Sequence, residues 1–209
     1  MAPSGSFAKG TAVWTGTDLD LFISLHHNTP EPLHTVHEKL FRWMSAEQLD
    51  PRPKNTAIGI RYAGFEIDLV PGKRQSPTTA NHSLFRKKTG TWKMTDVVKH
   101  VQLVRSSGLL DEIRLFKIWR DQLRLEFPSF YLEMMLMGAL PLPFLIPCLE
   151  RRLTYALAYI RDNIMTLRVV DPANTNNVLS DDLTVPEKQA IRDAASDAHD
   201  SKYWGDFVK

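Results

Sequence analysis

Two short runs share a two-residue rhythm: Asp18-Leu19-Asp20-Leu21-Phe22-Ile23 and Phe65-Glu66-Ile67-Asp68-Leu69-Val70. They constrain the chain more than any other feature. Successive side chains of a strand point to opposite faces, so Asp18, Asp20 and Phe22 share one face while Leu19, Leu21 and Ile23 take the other. In the second run Glu66 and Asp68 likewise oppose Phe65, Ile67 and Leu69. The carboxylates at 18 and 20 then stand roughly 7 Å apart on one surface. Close to a core they repel, and one tends to keep its proton unless a divalent cation binds.

If the two strands are neighbours in one sheet, Asp68 meets Asp18 and Asp20 at a single point. Three carboxylates there make an oxygen-rich cage suited to one or two Mg²⁺ ions, which also accept phosphate oxygens and water. An isolated Asp-x-Asp is more often the solvated face of an edge strand. The preceding turn shifts the balance: Gly5-Ser6 and Gly10-Thr11 can aim backbone N–H groups and the Ser6 hydroxyl at an anion.

The first part of the chain reads as mixed α/β. A strand is expected around Val13 to Leu25 and a helix from His34 to Met44, with Val36, Leu40, Phe41 and Met44 at helical spacing. Strands Thr56 to Tyr62 and Phe65 to Val70 meet at Ala63-Gly64 as a hairpin that Pro71-Gly72 closes. Residues 72 to 93, with Lys73, Arg74, Arg86, Lys87 and Lys88, read as an irregular basic connection. From Thr95 the signal is helical. Thr95 and Asp96 cap a helix through Arg105 that Gly108 ends, and Leu109 to Leu125 follows with Leu109, Ile113, Phe116 and Leu123 on one stripe. Further helices are expected from Pro128-Ser129 through Met137, from Leu149 to Ile164 and from Pro186 to Ala198. The expected fold class is α+β: a mixed-sheet lobe over 1–95 and an α-helical lobe over 96–209, with the active site in the cleft between them.

Composition removes several classes of function. With 26 basic and 24 acidic residues among 209, net charge does not mark a nucleic-acid binder. Cys148 is the only cysteine, which excludes an internal disulfide and a cysteine-rich zinc site. The longest uncharged run, 134–149, is interrupted by Pro141, Pro143 and Pro147 and is too short to span a bilayer. The N-terminus lacks an apolar signal core, so a cytoplasmic protein without a membrane partner is expected.

The ordered set of Gly5-Ser6, Asp18-x-Asp20 and Ile67-Asp68-Leu69-Val70-Pro71 resembles the nucleotidyltransferase superfamily of DNA polymerase beta type. The later runs Lys117-Ile118-Trp119, Pro128-Ser129-Phe130 and Asp171-Pro172-Ala173-Asn174 resemble the helical lobe of oligoadenylate synthetases and of the bacterial enzymes related to cyclic GMP-AMP synthase. The resemblance implies that Asp18, Asp20 and Asp68 hold two Mg²⁺ ions, with Mn²⁺ as a substitute, and that Asp68 rather than Glu66 is the third acid. It implies that Gly5, Ser6, Lys117 and Ser129 contact the triphosphate. A line of apolar neighbours makes Lys117 core-facing, so it needs an anionic partner, and Ser129 at a helix start suits phosphate. The implied substrates are nucleoside triphosphates, and the implied product is an oligonucleotide second messenger of antiviral defence. A terminal transferase acting on RNA or protein, and a non-catalytic nucleotide-binding protein, stay open as alternatives. The resemblance also implies a helix ahead of the Gly-Ser turn, where this sequence has four residues.

Other candidates carry less. Phe130 and Tyr131 read as core aromatics. His26, His27, His34 and His37 read as solvated surface histidines. Asp171, Asn174, Asn176 and Asn177 read as turn residues bonding their own backbone.

Overall fold

A computed structural model of the chain describes residues 1–14, 16, 18–201, 205 and 207. It divides into two compact units, Met1–Ala12 with Thr17–Leu103, and Val13–Gly16 with Val104–Lys209. In the first unit a short strand β1 (Ala2–Pro3) and a short helix α1 (Gly5–Lys9) lead to β2 (Leu19–Leu25) and α2 (Leu33–Ala46). Strands β3 (Arg52–Pro53), β4 (Ile58–Tyr62), β5 (Phe65–Arg74), β6 (His82–Arg86) and β7 (Thr91–Thr95) follow, then helix α3 (Val97–Arg105).

The sheet runs in the order β1, β2, β5, β4, β3, with β6 pairing β5 and β7. Only β2 and β5 run parallel among these pairs, and their register sets Asp20 beside Asp68. The two-residue rhythm now has a physical cause. Leu21, Ile23, Ile58, Ile60, Ile67 and Leu69 all turn to one face, where they pack with Leu40, Phe41 and Met44 of α2. Burying that face drives association of helix and sheet, and alternation leaves Asp20, Asp68 and Gly59 on the other.

Three sequence expectations need correction here. The strand expected from Val13 begins only at Leu19, so Asp18 lies just ahead of it; Thr15 and Thr17 of that expected strand lie outside the described residues. Pro71-Gly72 does not end β5, because the parallel ladder continues through Ile23–Pro71, Ser24–Gly72 and Leu25–Lys73. Glycine is required at 72, where a Cβ would stand 2.6 Å from Cζ of Phe22. The stretch 72–93, expected to be irregular, holds most of the β6–β7 hairpin, which ends at Thr95 and is tied to β2 by a hydrogen bond between Ser24 Oγ and His82 Nε2 (2.8 Å). Its polar, half-exposed side chains hid the alternation. The Ala63-Gly64 turn has φ of 50° and 85°, the left-handed pair that a two-residue hairpin demands.

The second unit is mainly helical: α4 (Leu110–Gln122), α5 (Ser129–Ala139), α6 (Leu149–Asn163) and α7 (Val185–Asp200), with a small ribbon of β8 (Val170–Asp171) and β9 (Asn174–Val178). Its core gathers Ile113, Phe116, Trp119, Tyr131, Leu136, Leu157, Ile160 and Ile191. The ends are chemically marked. Gly108 at φ 71° precedes α4, and Thr184 and Glu187 form a reciprocal cap at the start of α7. Asp171 accepts from the Ala173 amide (2.9 Å) and Asn174 from the Asn176 amide (3.2 Å), as expected of turn residues. Among the described residues no helix is long and apolar enough to cross a membrane.

Candidate active site

The acidic face of the first unit carries the strongest cluster. Asp20 and Asp68 are register neighbours on β2 and β5. Asp18, one residue ahead of β2, is joined to Asp68 by a residue that sequence reasoning missed. Lys54, in the turn after β3, donates to Asp18 Oδ2 at 2.9 Å and to Asp68 Oδ2 at 2.8 Å. Its ammonium also lies 2.8 Å from Asp68 Oδ1 but is not aligned to donate there. Asp68 Oδ1 is buried and has no hydrogen-bond partner. A lysine in a Pro-Arg-Pro-Lys stretch offers no local sign of this role, since its partners are separated from it by 36 and 14 positions.

The start of α1 closes the other side. The Ser4 amide donates to the Asp20 carbonyl (2.8 Å), seating the chain against β2. Gly5, at φ 57°, is so close to the Asp20 carboxylate that a Cβ would stand 1.7 Å from its Oδ2. Gly10, left-handed at φ 76°, ends α1, and the Ser6 carbonyl accepts from the Thr11 amide (2.9 Å). Gly5→Ala is therefore expected to fail twice. It carries about 1–2 kcal/mol of left-handed strain, and its methyl group must push the Asp20 carboxylate aside. Turnover should fall by roughly 10²-fold, the cost of a misplacement of about 1 Å, with melting lowered by only a few degrees.

Electrostatics follow from this crowding. Burial, then the neighbouring charges of Asp68 and Asp18, push the Asp20 carboxyl from 3.8 up to about 6, with Lys54 and Lys9 opposing. Burial raises Asp68 as well, against the pull of Lys54. Burial lowers the Lys54 ammonium, but its bonds to Asp68 and Asp18 outweigh that and leave it raised. For Asp20 the sign is destabilising. The folded state holds the proton more tightly than the unfolded chain, so its contribution is most favourable below about pH 4 and is lost as pH climbs to about 6. In EDTA, the melting-temperature advantage of Asp20→Asn over the native protein should therefore widen between pH 4 and 7. A constant gap would contradict the crowding.

The expected site residues do not all hold their expected roles. Asp18, Asp20, Asp68 and Gly5 are brought together. Glu66 stands beside Arg52 (3.6 Å) and Arg61 (3.9 Å). Lys117 is a correction: its ammonium bonds Glu133 Oε1 at 3.0 Å, and the two side chains are 2% and 1% exposed. The anionic partner that a core-facing lysine needs is internal, so Lys117 is not presented to a nucleotide. Ser129 is the first residue of α5, the helix start expected for it, and its Oγ accepts from Arg120 Nη1 (2.9 Å). Tyr131 is wholly buried, as expected of a core aromatic. His37 is also buried, packed edge-on to Phe85, contrary to the surface role expected from its polarity.

As the side chains stand, no three His, Cys, Asp or Glu groups among the described residues are arranged to hold a metal ion. The donor chemistry nonetheless fits a hard cation: three carboxylates on neighbouring backbone positions, two of them already bridged by one ammonium.

No known family model matches the chain. A cyclic AMP-AMP-AMP synthase of Escherichia coli (strain MS 115-1) is 25% identical over 240 residues, spanning 96% of this chain and 75% of that protein. The solved structure of E. coli MS115-1 CdnC with ATP aligns at a TM-score of 0.77 and 22% identity, over 95% of this chain and 74% of that one. The Bradyrhizobium diazoefficiens CD-NTase CdnG in complex with GTP aligns at 0.74 and 13% identity, over 95% and 76%. The α+β fold expected from the sequence is thus the fold of these proteins.

Proposed function

We propose that this chain, a CD-NTase-like nucleotidyltransferase, transfers a nucleotidyl group from a nucleoside triphosphate to a hydroxyl of a second nucleotide and so builds a cyclic or linear oligonucleotide messenger. The observation that carries the reading is the parallel register of Asp20 with Asp68, with Lys54 bridging Asp68 to Asp18. Asp18, Asp20 and Asp68 would hold Mg²⁺, which when bound neutralises the triphosphate and lowers the pKa of the attacking hydroxyl. Asp68, the most buried of the three carboxylates, orients the acceptor and takes up its proton. The acceptor oxygen bonds to the α-phosphorus as the bond to the β-phosphate oxygen breaks, and pyrophosphate leaves. Gly5 lets the chain approach Asp20 closely, and the Ser6 hydroxyl beside it binds the triphosphate, since positioning and charge dominate such chemistry. The relatives' synthesis of cyclic products, and nucleotide binding by their solved structures, support the messenger reading.

The test is incubation of the purified protein with labelled nucleotides and Mg²⁺ or Mn²⁺, followed by phosphatase. A phosphatase-resistant oligonucleotide is the expected product. Label appearing only on added RNA would turn the assignment to terminal transfer, and no product with any nucleotide mixture would overturn catalysis.

A further inference from the structure

Lys54 stands where the proposed metal ion would stand, and how it is held explains why. Its backbone is fixed: its amide donates to the Ala57 carbonyl (3.0 Å), and Asn55 accepts from the amides of Lys87 (2.8 Å) and Lys88 (3.0 Å). The turn is thereby pinned to the β6–β7 hairpin. From this anchor the side chain crosses Gly59, the β4 neighbour of Asp68. A Cβ on Gly59 would come within 3.2 Å of both Lys54 Cε and Asp68 Oδ1. The missing side chain thus leaves a lane to the carboxylates. The Lys54 side chain is 43% exposed at the open end of that lane, whereas Asp68 is 12% exposed at its closed end.

An ammonium satisfies this site poorly. It bonds two of the three carboxylates, Asp18 and Asp68, with a single positive charge against their two negative ones. A divalent ion held by the same carboxylates would match their charge more fully, but two cations cannot share that space, since their repulsion in a half-buried site is severe.

We propose that Lys54 is an internal stand-in for the metal: it neutralises Asp18 and Asp68 before an ion is loaded and swings out through the Gly59 lane when one binds. The inference rests on the metal-holding role proposed for the three aspartates. It makes Lys54 a positioning residue that keeps the carboxylates together in the unloaded protein and raises the metal concentration needed to fill the site.

Binding of Mn²⁺ without nucleotide, followed by calorimetry, tests this in the whole protein alongside melting in EDTA and in Mn²⁺. Lys54→Met should bind Mn²⁺ about tenfold tighter or more, the scale set by freeing charge-assisted bonds to two carboxylates. It should melt lower than the native protein in EDTA and gain more on adding Mn²⁺. Lys54→Gln, neutral but able to keep one hydrogen bond, should fall between the two and serves if the methionine variant does not fold. Equal affinity and equal Mn²⁺-induced melting shifts in all three proteins would overturn the stand-in role while leaving the aspartates as metal ligands. Failure of all three proteins to bind Mn²⁺ would overturn the aspartate site and the inference with it.

Discussion

Asp68→Asn is expected to lower kcat/KM by roughly 10³-fold or more, the scale of losing a general base together with a metal ligand. The substitution keeps the size of the side chain and the β2–β5 register, so the fold should persist. It should also melt no lower than the native protein in EDTA, because burial disfavours the charge at 68 by more than Lys54 favours it. The loss must appear in steady-state synthesis and in Mn²⁺ affinity together. Retention of activity within tenfold would remove Asp68 from the chemistry. Glu66, held near Arg52 and Arg61, is the comparison: Glu66→Gln should leave turnover nearly unchanged.

Lys117→Met should destabilise the protein by about 3–5 kcal/mol, the usual penalty for stripping one partner from a buried ion pair. The mutation leaves Glu133 inside the helical core with its lysine gone. Converting both residues, Lys117→Met with Glu133→Leu, should recover most of that loss, because a well-packed apolar pair avoids the desolvation that the ions incur. Urea unfolding of the two variants and the native chain reads this directly. The same pair of variants separates the two roles considered for this lysine. A phosphate contact would show as a raised KM for nucleotide with native stability, whereas the buried pair predicts lost stability and unchanged KM in whatever protein remains folded.

Several elements were legible before any coordinates because their signals are local. Helices α3 to α7 follow from apolar residues at turn spacing in α4 and from punctuation: Asp96, whose carboxylate accepts the Lys99 amide (2.9 Å), Gly108, Pro128 and Pro186, whereas the Thr184 cap of α7 emerged only in the structure. The β4–β5 hairpin follows from alternation around Ala63-Gly64. The β6–β7 hairpin escaped because strands with one wet face and many basic residues resemble a loop in composition. His37 escaped for a similar reason: polarity suggests solvent, but α2 presents it to Phe85 of β6, a neighbour no local pattern names.

The sequence alone determined which side chains share a face. A period of two fixes Asp20 with Phe22 and Asp68 with Glu66, and a period of 3.6 places Lys117 on the apolar line of α4, because backbone geometry dictates both without reference to the rest of the chain. Tertiary structure decided the partners. Which strand lies beside β2, in what register, which cation reaches the carboxylates and which anion receives Lys117 depend on burying the greatest apolar area with every charge matched. That balance is struck between residues far apart in the chain, 36 positions for Lys54 with Asp18 and 16 for Lys117 with Glu133, and no short window of sequence contains it.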